Sequence, residues 1–260
     1  MCIRDRVNSM LHLTNALKSV GIDIKRKVFK EIYDNLGGNM RIIVSAAAPI
    51  DKKIGKWVQD IGIEFLQGYG LTETAPIAAL TPECDPRVGS VGLPVNCAQI
   101  KIHNPNENGE GEIWIKSQTL MLGYYEDEEA TKEVVHDGWF NSGDIGYQDK
   151  DGYVYVTGRS KNVIVTQNGK NIYPEEIEHY LNENPLISES LVTGLPDDKD
   201  EEVYVNAQIF PNIDAIKEYL KVSIPQKEEI FAVIKDIVSS VNKKLPNYKP
   251  VSYTHLRAHE

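Results

Sequence analysis

Cysteine is scarce in this sequence, with three residues among 260. Cys2, Cys84 and Cys97 have neither the paired spacing of a zinc site nor the pattern of a disulfide framework. This excludes a cysteine-based metal site and a disulfide scaffold. It also favours a reducing compartment, and we expect a cytoplasmic protein.

The sequence also lacks long apolar runs and an excess of positive charge. No run approaches the length that crosses a bilayer, and no segment resembles a signal peptide. Lys and Arg number 28 against 38 Asp and Glu, which gives a net charge of −10. Because nucleic-acid recognition relies on clustered Lys and Arg, we expect no general nucleic-acid binder. The 41% hydrophobic content is enough for one good core and a second.

The first third of the sequence alternates helix and strand patterns. Helical periodicity covers residues 7–37, and residues 41–45 form a short β-rich run that is typical of a buried parallel strand. Pro49 and Asp51 start another helix, and residues 63–66 are the next strand. This order predicts an α/β layer with a parallel sheet. The apolar stripe of the helix after Asp51 is predicted to consist of Ile54, Trp57, Val58 and Ile61.

The remaining sequence predicts two further regions. Residues 89–158 contain short strands separated by Gly, Asn and Pro, which indicates a small sheet or distorted barrel. A compact α+β segment follows, with one helix begun by Pro174 and a final helix near residues 230–245. We therefore predict an α/β class with an α/β layer to about 85, a β subdomain at about 86–158 and a domain boundary at 159–162. Residues 1–6 and 251–260 continue neither pattern, and we expect them to be artefactual ends.

Four sequence motifs occur in the same order as in a known enzyme family. They occupy residues 67–74 (QGYGLTET), 138–144 (GWFNSGD), 158–162 (GRSKN) and 169–178 (GKNIYPEEIE). Together they resemble the adenylate-forming enzymes, which include acyl-CoA synthetases, adenylation domains of peptide synthetases and luciferases. The sequence is most similar to that of a bacterial long-chain fatty acyl-CoA synthetase, and this resemblance extends from about Arg41 to about Tyr248. The resemblance implies that residues 1–158 are the C-terminal part of the large AMP-binding domain and residues 159–250 a mobile lid.

The first motif carries the candidate phosphate and metal ligands. Gly68 and Gly70 let the backbone approach a ligand closely, because glycine has no Cβ. Thr72 offers a hydroxyl to phosphate oxygens, and Glu73 offers a hard oxygen ligand to Mg²⁺. The resemblance implies the same catalytic roles for Thr72 and Glu73, with Tyr69 stacking on adenine. Taken alone, the motif is better explained as a tight turn after a strand.

Small residues follow the strand at residues 41–45. Ala47 and Ala48 lie at a strand-to-helix turn, where ligands of open α/β sheets commonly bind. Ordinary helix entry explains these residues equally well. The resemblance implies that the turn lines the adenine site, although the family often has glycine where Ala46 or Ala47 stands.

Asp144 and Arg159 are the candidate ribose ligands. Asp144 follows a glycine in what we predict to be a loop between strands, and a carboxylate can accept hydrogen bonds from both ribose hydroxyls. Arg159 offers a fork of donors to ribose or phosphate oxygens. The resemblance assigns both residues to the nucleotide ribose. For Asp144 alone, a solvated turn aspartate is the commoner explanation.

The last two motifs imply movement. Lys161 stands where the family has the hinge between the large and small domains, and a charged, unbranched side chain suits a solvated hinge. Gly169 begins the loop that, by resemblance, shapes the pantetheine tunnel for CoA. Pro174, Glu175 and Glu176 are explained by helix-start chemistry without any function.

The resemblance implies a fatty acid–CoA ligase that uses ATP, Mg²⁺ and coenzyme A and releases AMP and pyrophosphate. The sequence contains no Gly-rich, Ser/Thr-rich phosphate loop ending in Lys, and it ends before the family's late catalytic lysine. We therefore expect a C-terminal fragment that is inactive alone. A carrier-protein-loading adenylation module and a non-catalytic nucleotide-binding protein remain alternatives. The expected partners are a small carboxylate, ATP and CoA, and peripheral membrane contact stays open.

Overall fold

The computed structural model describes residues 3–48, 50–165, 171–196, 203–245 and 251–256. The chain divides into two compact units, Met1–Val156 and Thr157–Glu260. Helices and sheets occur in both units, and the predicted α/β class is confirmed. Along the described residues, no helix combines the length and apolar character needed to cross a bilayer.

Three helices occupy the region where the sequence shows continuous helical periodicity. They are α1 (Ile3–Ser19), α2 (Lys25–Val28) and α3 (Lys30–Asn35). The first break contains Gly21, whose φ of +84° is incompatible with a helix. Leu11 of α1, Tyr33 of α3 and Phe29, between α2 and α3, are buried in one hydrophobic cluster.

The first sheet contains one parallel strand pair. The strand β1 (Ile42–Ser45) pairs in parallel with β2 (Glu64–Tyr69), as predicted, and α4 (Lys52–Asp60) connects them. Asp51 caps α4 by accepting a hydrogen bond of 2.7 Å from the backbone nitrogen of Lys53. The antiparallel strands β3 (Ala79–Leu80) and β4 (Leu93–Pro94) complete the sheet in the order β1-β2-β3-β4.

Burial in this layer differs from the prediction for β1 and for part of α4. The strand β1 is not buried, and the side chain of Val44 is 54% exposed, because β1 lies at the sheet edge among the described residues. The predicted stripe of α4 is buried only in part: Val58 and Ile61 are buried, whereas Ile54 and Trp57 are 51% and 40% exposed. The helix also buries Gly55. A Cβ at Gly55 would lie 2.8 Å from the Phe65 ring, so α4 approaches β2 too closely for a larger side chain.

A second, antiparallel sheet follows, as the short strands predicted. Its strands β5, β6, β8 and β7 are neighbours in that order, and β9 pairs with β8. Ile113, Ile115 and Val154, which belong to strands of this sheet, are completely buried in one cluster with Ala78. Its elements are β5 (Ala98–His103), β6 (Gly111–Ser117), α5 (Glu128–Val134), β7 (Val135–His136), β8 (Trp139–Gln148) and β9 (Val154–Arg159).

The second unit is an α+β structure with its own core. Its long strands pair in the order β12-β13-β14, antiparallel and then parallel, and its helices include the predicted one that begins at Pro174. Ile177, Leu181 and Ile234 are completely buried in this core. The elements are β10 (Ile164–Val165), β11 (Asn171–Ile172), α6 (Pro174–Asn182), β12 (Ile187–Pro196), β13 (Val203–Pro211), α7 (Ile213–Leu220), α8 (Lys227–Asn242) and β14 (Val251–Leu256).

Candidate nucleotide-binding site

The first motif forms the end of β2 and the turn that follows it. The backbone nitrogen of Ala78 donates to the carbonyl of Tyr69 at 2.8 Å, so the chain folds back beside the strand end. A Cβ at Gly70 would lie 1.8 Å from the carbonyl oxygen of Pro76. Only glycine fits at this position, and the close approach therefore serves the turn itself.

Tyr69 contacts Asp144 directly. Its hydroxyl donates a hydrogen bond of 2.6 Å to Oδ2 of Asp144, and its half-buried ring packs against the cluster around Ile113. This contact brings the first two sequence motifs together within one unit. It also gives the Asp144 carboxylate a fixed direction at the end of β2.

Asp144 does not lie in a loop between strands, and that prediction is wrong. It lies inside β8, and its residue is only 5% exposed. Glu112 pairs with Ile145 and Trp114 with Asn141, so residues 142–144 all lie opposite the single residue Ile113. This is a β-bulge, a local insertion that bends a strand and redirects its side chains.

Polar contacts hold the bulge in place. Ser142 donates from Oγ to the carbonyl of Ile113 at 2.7 Å and accepts from the backbone nitrogen of Asp144 at 3.1 Å. Gly143 adopts a φ of +70°, and its nitrogen donates to Oδ1 of Asn141 at 2.9 Å. The Ser142 hydroxyl and Gly143 therefore have a structural role, which is to direct the side chain of Asp144.

The alanine turn lies next to the end of β2 in the same sheet. Ser45 is the register partner of Gln67, and one residue after β1 the chain enters an exposed bend at Ala47 and Ala48. Because β1 and β2 are parallel, this turn and Tyr69 leave from the same edge of the sheet. Ala47 has a φ of +71°, a conformation that favours glycine.

Thr72 and Glu73 lie in a 3₁₀ turn, Thr72–Thr74. The buried Thr74 closes this turn, since its Oγ1 accepts from the nitrogen of Leu71 at 3.1 Å and donates to the carbonyl of Leu71 at 2.9 Å. Thr72 is exposed and Glu73 is half-buried. The predicted ligands are thus accessible side chains on a turn with a fixed backbone.

Tyr124 is a neighbour of Glu73 that the sequence motifs do not indicate. Its hydroxyl donates to Oε1 of Glu73 at 3.0 Å. Partial desolvation of the phenol, together with the bond to the Glu73 carboxylate, raises the pKa of Tyr124 above its usual value of 10.0. The two residues are 51 positions apart, and no local pattern could have paired them.

The residues around Glu73 fit a magnesium ion. Among the described residues, no group of three His, Cys, Asp or Glu ligand atoms includes Glu73. Magnesium is usually held by one or two carboxylates together with substrate phosphates and water. One half-buried carboxylate beside an exposed Thr72 hydroxyl is consistent with that mode.

The other predicted site residues belong to the second unit. Arg159 is an exposed residue at the end of β9, and Lys161 is exposed in the 3₁₀ turn Ser160–Asn162. Oε1 of Glu175, in the first turn of α6, accepts a hydrogen bond of 2.9 Å from Asn162. Gly169 lies outside the described residues. That Arg159 shares a cleft with Tyr69 and Asp144 stays a prediction, as do the hinge and the tunnel loop.

Comparisons with known proteins identify the family to which this sequence is similar. The family model described as AMP-binding enzyme matches residues 6–125. A long-chain-fatty-acid–CoA ligase of Mycobacterium bovis is 38% identical over 169 residues, which cover 65% of this chain and 27% of the ligase. The chain belongs to the AMP-binding, adenylate-forming enzyme superfamily. Its predicted membership is therefore confirmed, and its curated ligase relatives are enzymes.

Two further relatives show the breadth of this superfamily. A luciferin 4-monooxygenase of Photuris pensylvanica is 38% identical over 196 residues, 67% of this chain and 35% of that enzyme. The solved structure of o-succinylbenzoate coenzyme A synthetase of Bacillus subtilis, in complex with ATP and magnesium, matches with a TM-score of 0.66 and 26% identity. That match covers 84% of this chain and 42% of the synthetase. The chain thus spans less than half the length of each of these relatives.

Proposed function

We propose that this chain is the nucleotide-binding part of an ATP-dependent acid–thiol ligase, with a fatty acid as substrate and CoA as acyl acceptor. The observation that carries the proposal is the hydrogen bond between Tyr69 and Asp144, which joins the two motifs expected to hold adenine and ribose. Superfamily membership and the similarity to a long-chain-fatty-acid–CoA ligase support the reaction type. The cytoplasm is the proposed location.

The proposed reaction has two steps. A carboxylate oxygen attacks the α-phosphorus of ATP, the bond to pyrophosphate breaks, and an acyl-adenylate forms. The thiolate of CoA then attacks the acyl carbon, and AMP leaves with the electron pair of the broken bond. Both steps depend on neutralising and positioning charged groups, so fixed ligands matter more than strong acids or bases.

The residues of the first unit would divide this task among them. The half-buried ring of Tyr69 would contact adenine, while Asp144 would accept from the ribose hydroxyls at a position fixed by its bulge. The exposed hydroxyl of Thr72 would donate to phosphate oxygens, and Glu73 would hold Mg²⁺. A bound Mg²⁺ would neutralise phosphate charge.

The second unit would contribute ribose contacts and motion. We propose that Arg159 also binds the ribose and that the exposed Lys161 is the hinge residue, with Gly169 in the loop that lines the CoA tunnel. The complete protein should then adopt two arrangements. X-ray scattering with ATP and a carboxylate, compared with AMP and CoA, tests this. One rigid arrangement in both conditions would contradict the hinge.

Nucleotide binding by this chain tests the central part of the proposal. We expect Asp144→Asn to weaken AMP binding roughly tenfold in calorimetry, because hydrogen bonds to a charged acceptor contribute about 1.5–3 kcal/mol. Asp137→Asn is the matched control, since Asp137 is an exposed aspartate on the turn before the same strand. Equal binding by both variants would overturn the ribose assignment.

Turnover assays separate the alternatives. We expect no pyrophosphate exchange by this chain, because its sequence has no Gly-rich phosphate loop and one lost charge-stabilising contact costs on the order of 10²–10³ in rate. Robust exchange that depends on Glu73 would contradict this expectation. In the complete protein, acyl transfer to CoA supports the ligase, and transfer only to a phosphopantetheinylated carrier supports the loading module. Binding without any adenylation supports a non-catalytic nucleotide-binding protein.

A further inference from the structure

The segment that follows β6 forms hydrogen bonds with the turn that contains Glu73. The backbone nitrogen of Met121 donates to the carbonyl of Glu73 at 2.8 Å, and Oγ1 of Thr119 donates to the carbonyl of Thr74 at 2.7 Å. The hydroxyl of Tyr124 adds the contact to the Glu73 carboxylate. Backbone and side chain of Glu73 are therefore held by the same neighbouring segment.

Tyr124 itself is held from its other side. Its backbone nitrogen donates to Oγ1 of Thr131 at 2.9 Å, and that hydroxyl donates to the carbonyl of Asp127 at 2.8 Å. Asp127 also caps α5 by accepting from the nitrogen of Ala130 at 2.9 Å. The phenol thus reaches Glu73 from an anchored backbone.

Burial does not explain the placement of Tyr124. The residue is 38% exposed, and the following Tyr125 is 90% exposed. A contact between two partly exposed side chains contributes little to stability, because water competes for both groups. Its main physical effect is to restrict the directions that the Glu73 carboxylate can take.

We propose that Tyr124 is a positioning residue that orients Glu73 toward the metal ion of bound Mg–ATP. The proposal rests on the proposed function. The phenol holds Oε1 and leaves the other carboxylate oxygen available to the cation. Partners that orient a metal ligand typically change metal affinity 10–100-fold when they are removed.

The test uses Tyr124→Phe, which removes only the hydroxyl, and Tyr125→Phe as the matched control. ATP binding is measured by calorimetry with MgCl₂ and with EDTA. We expect Tyr124→Phe to weaken Mg²⁺-dependent ATP binding about 10-fold and to leave metal-free ATP and AMP binding within about twofold. A loss equal to that of Tyr125→Phe, or an equal loss in all three conditions, would overturn the proposal.

A Glu73→Gln background makes the test specific. Glu73→Gln should remove the dependence of ATP binding on Mg²⁺, and adding Tyr124→Phe should then change nothing further. An additional loss in the double variant would show that Tyr124 acts through another group and would overturn the proposal.

Thermal unfolding separates this inference from the proposed function. If the wild-type chain binds neither ATP nor AMP, the proposed function fails. The contact is then tested by whether Tyr124→Phe causes a small loss in the unfolding midpoint of the wild type but none beside Glu73→Ala, which removes the acceptor of the hydrogen bond. A shift that depends on the Glu73 carboxylate supports the contact between Tyr124 and Glu73. Equal shifts in both backgrounds would overturn the proposal.

Discussion

Tyr69 and Asp144 lie 75 positions apart in the chain, and a hydrogen bond of 2.6 Å joins their side chains. The contact links the end of a parallel strand to a bulge in an antiparallel strand of the other sheet. A buried carboxylate is costly without donors. The Tyr69 phenol therefore has a structural task in addition to any contact with a nucleotide.

Replacing Tyr69 by Phe should destabilise the first unit. The change removes one donor from the buried Asp144 and keeps the ring, and hydrogen bonds to charged groups contribute about 1.5–3 kcal/mol. Urea unfolding should report a loss of that size. Tyr125→Phe, at a residue that is 90% exposed, should leave the free energy of unfolding unchanged. Equal stability of the two variants would contradict the role of the Tyr69 hydroxyl.

Replacing Ala47 by Gly should stabilise the chain. Ala47 has a φ of +71°, where a Cβ is strained by about 1–2 kcal/mol and glycine is not. The greater freedom of glycine in the unfolded chain offsets about 0.5–1 kcal/mol of this gain. Ala48→Gly is the control, because Ala48 has no positive φ and should lose stability. Thermal unfolding should therefore show shifts of opposite sign, and a loss in both variants would exclude strain at Ala47.

Asp149 should make the first unit sensitive to acid. Burial opposes its charge, but backbone nitrogens of Tyr153 and Asp151, each at 2.9 Å, and the Arg87 guanidinium outweigh that effect. The pKa of Asp149 is therefore lowered below its ordinary value of 3.8. Because the pKa of Asp149 is lower in the folded than in the unfolded state, its contribution to stability is fully present above pH 3.8. This contribution is lost as the pH falls through the pKa of the folded state.

Unfolding midpoints between about pH 2 and 6 check this prediction. Asp149→Asn should flatten the acid side of the profile relative to the wild type. Asp137→Asn, at an exposed turn residue, should leave the profile as it is. An unchanged slope in Asp149→Asn would contradict the assignment.

Glu178 should make the second unit less stable as pH rises, the opposite of the effect of Asp149 on the first unit. Its burial, and the nearby charge of Glu175, raise its pKa above the ordinary value of 4.5, although Oε1 accepts from the nitrogen of Val192 at 2.7 Å. A raised carboxyl pKa gives stability that is complete below 4.5 and lost as pH rises through the folded value. Glu178→Gln keeps an acceptor for Val192 and should retain stability at neutral pH.

Unfolding of the second unit at about pH 4 to 8 provides the measurement. The wild type should lose stability across this range, whereas Glu178→Gln should not. The exposed Glu189→Gln is the control and should behave like the wild type. A pH slope that persists in Glu178→Gln would show that another group is responsible.

Local rules predicted much of this fold because they act within a few residues. Asp51 at a helix start, Pro174 at the first position of α6 and the short β-rich runs each produce the predicted element. Burial was less predictable. Val44 and Trp57 are apolar, yet they are 54% and 40% exposed, because the layers packed beside a side chain decide its exposure.

The sequence by itself determined the order of the motifs, the superfamily and the parallel pair of β1 and β2. Only the tertiary structure decided which side chains contact one another in the candidate site. Asp144 points to Tyr69 because a bulge redirects β8, and Tyr124 reaches Glu73 because a distant segment folds over the turn. Strand register and bulges depend on pairing between remote segments, so patterns of a few residues cannot specify these contacts.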